Sequence, residues 1–160
     1  EMQRSLVGSE MCIRDSCMRK CYDAYDRSLA LRYDNAMVLN NYAYFLSLEG
    51  RDLERALAMA GRAIVLEENN PTYLDTYAWV LYRLGRYDEA KKTMQQALSL
   101  DRSQSPDLQL HYGDILAALG EKFMAEVYWK KALEGGYDDP DAIVERFRRL
   151  KEAAQTPAAP

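Results

Sequence analysis

The sequence predicts an all-α fold: a right-handed solenoid of helix–turn–helix repeats closed by a C-terminal capping helix. Three observations predict it. Gly50, Gly85 and Gly120 are spaced by 35 and 35 residues, and Pro71, Pro106 and Pro140 by 35 and 34. Two alanine sets keep the same period: Ala56, Ala90 and Ala125, and Ala63, Ala97 and Ala132, each spaced by 34 and 35. No stretch sustains the two-residue alternation of a half-buried strand. A fixed period of this size is the signature of stacked supersecondary units.

The composition fits that object. A chain of 160 residues allows one domain or a short stack. With 48% hydrophobic and 29% charged residues it can bury a core and stay solvated. Its 21 basic and 25 acidic residues leave a net charge of -4, with no electrostatic footprint for nucleic acid. Nothing approaches the run of about 18 apolar residues that a membrane span needs. The three cysteines all precede residue 22 and make no disulfide framework. His111 is the single histidine, so a histidine-rich metal site is excluded.

Residues 1–16 stand apart. SLVGSEMCIRDS resembles translated sequencing adapter, and the segment is expected to be artefactual or a disordered terminus. Without it the balance is 19 basic against 22 acidic residues, net -3, and the class is unchanged. On that reading the protein's own start, with any targeting signal, lies upstream. Cytoplasm and periplasm then both stay open as the compartment.

The elements follow in order. Residues 17–35 read as the second helix of a truncated repeat. Three repeats are expected at 36–70, 71–105 and 106–139, then a capping helix at 140–154 and a tail at 155–160. Asn35, Asn70, Ser105 and Asp139 each precede a helix. A side-chain oxygen there accepts from an orphan backbone N–H, and the proline after Asn70, Ser105 and Asp139, where Asn35 has Ala36, lacks an N–H where none is needed. Gly50, Gly85 and Gly120 end the first helix of each unit in the left-handed conformation. Gly50 to Ala56 is six steps where the later units take five, which predicts a longer first turn. In the last helix, Ile143, Val144, Phe147 and Leu150 form an apolar stripe. Glu145, Arg146, Arg148, Arg149 and Lys151 are expected to face water.

These residues resemble the tetratricopeptide repeat family, in a bacterial style. The second unit is clearest, with Leu74, Tyr77, Ala78, Leu81, Gly85, Tyr87, Ala90, Met94, Ala97 and Leu98 in the family's phase. The first matches through Leu39, Tyr42, Ala43, Leu46, Ala56, Ala60, Ala63 and Ile64. The third matches through Tyr112, Gly113, Leu116, Gly120, Phe123, Ala125, Trp129, Ala132 and Leu133. The resemblance implies units that share one continuous core, because no hairpin buries its apolar face alone. It also implies a concave groove lined by the first helices, where partners bind as extended or helical segments.

By position, the groove residues are Asn40, Asn41 and Tyr44 on the first unit, Asp75, Thr76, Trp79, Tyr82 and Arg83 on the second, and His111 and Asp114 on the third. Ser47, Asp107 and Leu110 lie on the same faces. Aromatic anchors dominate binding surfaces, and Asp75, Asp107 and Asp114 outnumber Arg83. A protein or peptide ligand carrying Lys or Arg beside an apolar residue is therefore expected. Chaperone-binding members of the family grip a terminal carboxylate with lysines, asparagines and an arginine. Here those places hold Asn40, Tyr44, Thr76, Asp107 and His111, and Asp107 would repel the carboxylate.

No catalytic, metal or cofactor set is expected. There is no phosphate-binding glycine loop and no GxSxG elbow. His111 has Asp107 and Asp114 near in helical phase but no serine, and reads as an exposed groove histidine. Cys17 and Cys21 share a helix face but lack two further ligands. The reading is a non-enzymatic interaction scaffold. The alternative is the regulatory or targeting arm of a larger enzyme or assembly factor. Self-association through an exposed leading helix is a third expectation.

Overall fold

The computed structural model describes residues 20, 22–30 and 34–155, and every regular element among them is a helix. Residues 1–16, Cys17 and Cys21 lie outside the described residues, so the expectations placed on them are not addressed by the fold. Helix α1 covers residues 22–30. Then come α2 (Ala36–Glu49), α3 (Leu53–Leu66), α4 (Pro71–Arg83), α5 (Tyr87–Leu100), α6 (Pro106–Ala118), α7 (Lys122–Glu134) and α8 (Pro140–Gln155).

Local chemistry sets the boundaries. Asn35 Oδ1 accepts from Val38 N at 3.1 Å, Asn70 Oδ1 from Thr72 N at 3.1 Å, and Asp139 Oδ1 from Ala142 N at 3.1 Å. These are N-cap bonds that satisfy donors the helix itself cannot. Ser105 departs from expectation, since its side chain makes no cap bond. Asp101 organises that turn instead, its carboxylate accepting from Ser103 N at 2.9 Å and Ser105 N at 2.7 Å. At the other ends Gly50 and Gly85 hold φ of 66° and 77°. That conformation lets Arg51 N reach Leu46 O at 3.0 Å and Arg86 N reach Leu81 O at 2.9 Å, closing each first helix. The longer first turn is present: Asp52 adds a second left-handed residue, φ 43°, before α3.

The helices form hairpins α2/α3, α4/α5 and α6/α7. The first helices also pack in series, α2 on α4 and α4 on α6, while α3 and α5 each lean on the next first helix. One core runs through the stack, because Leu57, Ile64 and Tyr77 pack against both of its halves. The second helices meet it through small residues, Ala56, Ala60 and Ala63 on α3 and Ala90 and Ala97 on α5, all fully buried. Small side chains let the backbones approach, and large neighbours fill the space beside them. Gly113 is the extreme case: a Cβ there would lie 2.4 Å from Cδ1 of Trp129.

Three sequence expectations are corrected here. Phe123 is 75% exposed and has no place in the core. It stands three residues after Gly120, where Tyr87 stands two after Gly85, so its helical phase is off by one. Val144 is likewise exposed, leaving Ile143, Phe147 and Leu150 as the packing stripe of α8. Arg146 does not face water but turns inward to Asp114. No helix among the described residues is long and apolar enough to cross a membrane.

Candidate functional site

The first helices α2, α4 and α6 pack in one layer, and all ten sequence-assigned residues lie on those helices. Helical spacing puts Asn40 and Tyr44 one turn apart on α2, Asp75, Trp79 and Tyr82 along α4, and His111 and Asp114 on α6. Their exposure separates them. Asn41 is exposed, and Tyr44, Tyr82 and Arg83 are half-buried. Asn40, Asp75, Thr76, Trp79, His111 and Asp114 are buried.

The buried members join across helices. His111 Nδ1 donates to Asp75 Oδ1 at 2.8 Å, bridging α6 and α4. The imidazole stacks on Trp79 with ring centres 4.2 Å apart, and Trp79 stacks on Tyr82 at 4.8 Å. Tyr44 approaches the same imidazole from α2 at 6.4 Å. An aromatic row thus runs across the three first helices. The expectation of an exposed histidine is overturned: His111 is 8% exposed. The first helices approach closely enough for its ring to be covered by α4 and α2 together.

Electrostatics follow from that geometry. Burial alone would lower the proton affinity of His111. The charge and hydrogen bond of Asp75, with Asp114 and Asp107 behind it, raise it above the ordinary 6.5. Burial, then the charge of Asp75, raises Tyr44, and burial raises Tyr82, so both phenols stay protonated at neutral pH. The indole N–H of Trp79 and Oδ1 of Asn40 are buried without hydrogen-bond partners.

Asp114 and Arg83 are spent on structure. Asp114 accepts from Trp129 Nε1 at 2.9 Å. It also takes a contact from Arg146, Nε to Oδ1 at 2.7 Å and Nη2 to Oδ2 at 2.8 Å. That contact is the bidentate kind, which fixes orientation as well as charge. Arg83 donates from Nη1 to the carbonyl of Leu48 at 3.3 Å. The acceptor lies at the C-terminal end of α2, where carbonyls lack partners within the helix. Sequence reasoning missed Arg146 as a member of the site. The signal was present: Arg146 stands one repeat after Tyr112, which stands one repeat after Tyr77, and both tyrosines turn inward.

An open cavity of about 500 Å³ lies where Tyr82 of α4, Ala117 and Ala118 of α6 and Glu145, Arg146 and Leu150 of α8 meet. The alanines at the end of α6 leave the room. Among the described residues, no group of three or more His, Cys, Asp or Glu side chains is arranged to hold a metal ion.

Comparison with known proteins agrees with this geometry. Residues 71–103 match the tetratricopeptide repeat family model. TPR repeat-containing protein PA4667 of Pseudomonas aeruginosa is 30% identical over 86 residues, covering 54% of this chain but only 14% of that protein. The first TPR of Spaghetti (RPAP3), solved bound to the HSP90 peptide SRMEEVD, superposes with a TM-score of 0.64 at 19% identity, covering 76% of this chain and 94% of that one. YrrB, described as a TPR protein with an unusual peptide-binding site, gives 0.61 at 28% identity, covering 74% and 60%. The class is an all-α repeat solenoid. Residues 71–103 carry a tetratricopeptide repeat, and the fold around them is that of solved tetratricopeptide-repeat domains.

Proposed function

We propose that the concave face holds a peptide or protein segment of a partner, making the chain a binding scaffold. The observation that carries this is the open cavity at Tyr82, Ala117, Ala118 and Leu150, which adjoins the aromatic floor. It offers apolar walls and one half-exposed aromatic, the composition of an anchor pocket. Asn41 is exposed on α2 and can bond both N–H and C=O of an extended ligand. A basic residue further along the segment from the apolar anchor suits Asp107, which is exposed near the start of α6.

The test is a peptide array probed with the full chain, varying Lys, Arg, Glu and apolar positions. Tyr82→Ala and Ala118→Arg should each lose capture while the circular dichroism spectrum holds, because Ala118 is exposed and Tyr82 is only half-buried. Retained capture by Ala118→Arg would remove the cavity from the site. Trp79→Ala is a poorer probe, since the ring is buried and its loss strikes the fold as well.

A second reading has support in one observation. The match to PA4667 covers a small fraction of that protein, as expected for repeats that serve as an arm of something larger. Self-association through α1 draws less support. Tyr22 and Tyr25 are already stacked on Tyr42, and the outward residues Asp23, Asp26 and Arg27 are charged and exposed.

A further inference from the structure

The charges of the concave floor are almost all paired internally. Asp114 is held by Arg146 of α8 in a bidentate contact. The guanidinium keeps its charge at any pH the fold meets. Arg83 rests on the carbonyl of Leu48. Asp75 is different. Its partner on the floor is His111, and that ring balances its charge only when both ring nitrogens carry protons.

We propose that the protonation state of His111 sets the charge the concave floor offers to a bound segment. This rests on the concave face being the binding face, and names how that face is regulated. With the ring protonated, His111 and Asp75 together are neutral. With the ring neutral, the hydrogen bond from Nδ1 survives but the pair carries one net negative charge. Of the other groups facing the ring, Tyr44 from α2 is held neutral and Trp79 from α4 has no charge, while Asp107 and Asp114 on α6 add carboxylates to its surroundings. Arg146, reaching Asp114 from α8, stays cationic. One proton therefore switches the floor. The ring is buried, so it acts through low-dielectric protein, where a unit charge is weakly screened. His111 is also the joint between α4 and α6, so the switch sits on the contact that shapes the groove.

A basic segment should bind more tightly as the ring loses its proton, and binding should in turn make the ring harder to protonate, by the reciprocity of linkage. Between about pH 5.5 and 8.5 a peptide lysine keeps its charge, and histidine is the side chain whose ordinary pKa puts its charge change in that range.

Two measurements on the full chain test this. The single histidine gives one set of ring-proton NMR signals, and its titration midpoint should lie above 6.5. In Asp75→Asn, which keeps an acceptor but removes the charge, the midpoint should fall to 6.5 or below. The second measurement is anisotropy with a labelled, end-capped octapeptide of Lys, Leu and Ala, and its counterpart with Glu for Lys. The Lys peptide should bind about fivefold or more tightly at the higher pH. The Glu peptide should show the opposite trend, and His111→Gln should abolish both slopes. A midpoint at or below 6.5 in the wild type, a flat Lys-peptide affinity, or an unchanged slope in His111→Gln would overturn the inference and leave the groove standing. No binding of either peptide at either pH would overturn the groove reading and this inference together.

Discussion

The first helices and the second helices of this protein are built from the same repeat, yet they bury different things. On α4 and α6 the buried residues include Asp75, Thr76, Gln109, His111 and Asp114. On α3, α5 and α7 they are alanine, methionine and one tryptophan. A first helix is packed from three sides, by its own hairpin partner, by the preceding second helix and by the neighbouring first helix. A second helix leaves a broad face in water. A polar residue on a first helix is therefore not a surface residue by default. It is enclosed by its neighbours, and the charged ones are paired there, Asp75 with His111 and Asp114 with Arg146 and Trp129.

The contrast can be broken by mutation. The largest effect is expected for Leu81→Ala on α4, where the side chain is 1% exposed. A loss of about 2–5 kcal/mol is expected by chemical denaturation. A cost under about 1 kcal/mol would mean that the first helices are not the enclosed layer. Gly113→Ala comes next, because the new Cβ must displace the indole of Trp129, itself 3% exposed. Overpacking of about 1–3 kcal/mol is expected, of which helix propensity returns up to about 1 kcal/mol. A rise in melting temperature would show that the indole can move aside freely.

Gly85→Val tests the turn rather than the layer. A Cβ there meets nothing within 4 Å, so the cost is conformational, at φ 77°. About 1–2 kcal/mol is expected for a side chain forced into the left-handed region, and more for a β-branched one. An unchanged melting temperature would refute the turn's role. The smallest effect belongs to Phe123→Ser on the outer face of α7, where the ring is largely exposed. The change in stability should be no more than about 0.5 kcal/mol. A large loss there would show that the second helices hide a contact of their own.

Much of the fold was legible because it is written in short-range chemistry repeated at a fixed interval. Asn35 and Asn70 announce helix starts through side-chain oxygens, and Gly50, Gly85 and Gly120 announce stops through backbone freedom. The alanine sets mark where backbones touch. Ser105 misled because its side chain was credited with a bond, whereas Asp101 organises the turn from four residues earlier. Phe123 misled because an aromatic near a turn was credited without checking its phase.

The candidate site was legible as a set of positions and not as a set of exposures. Position in the repeat, carried over from the family resemblance and consistent with helical phase, put Asn40, Tyr44, Asp75, Trp79, Tyr82 and His111 on the first helices. Phase cannot say how far neighbouring helices close over them. That depends on contacts between residues a whole repeat apart, such as Asp75 with His111 or Asp114 with Arg146. So the sequence by itself determined the repeat, its turns and the faces of its helices, all of which act over a few residues. Only the tertiary structure decided that Trp79 and His111 are covered, that Arg83 and Arg146 are committed, and that an open cavity lies beside Tyr82. Enclosure is a property of several helices at once, and no single helix carries it in its own pattern.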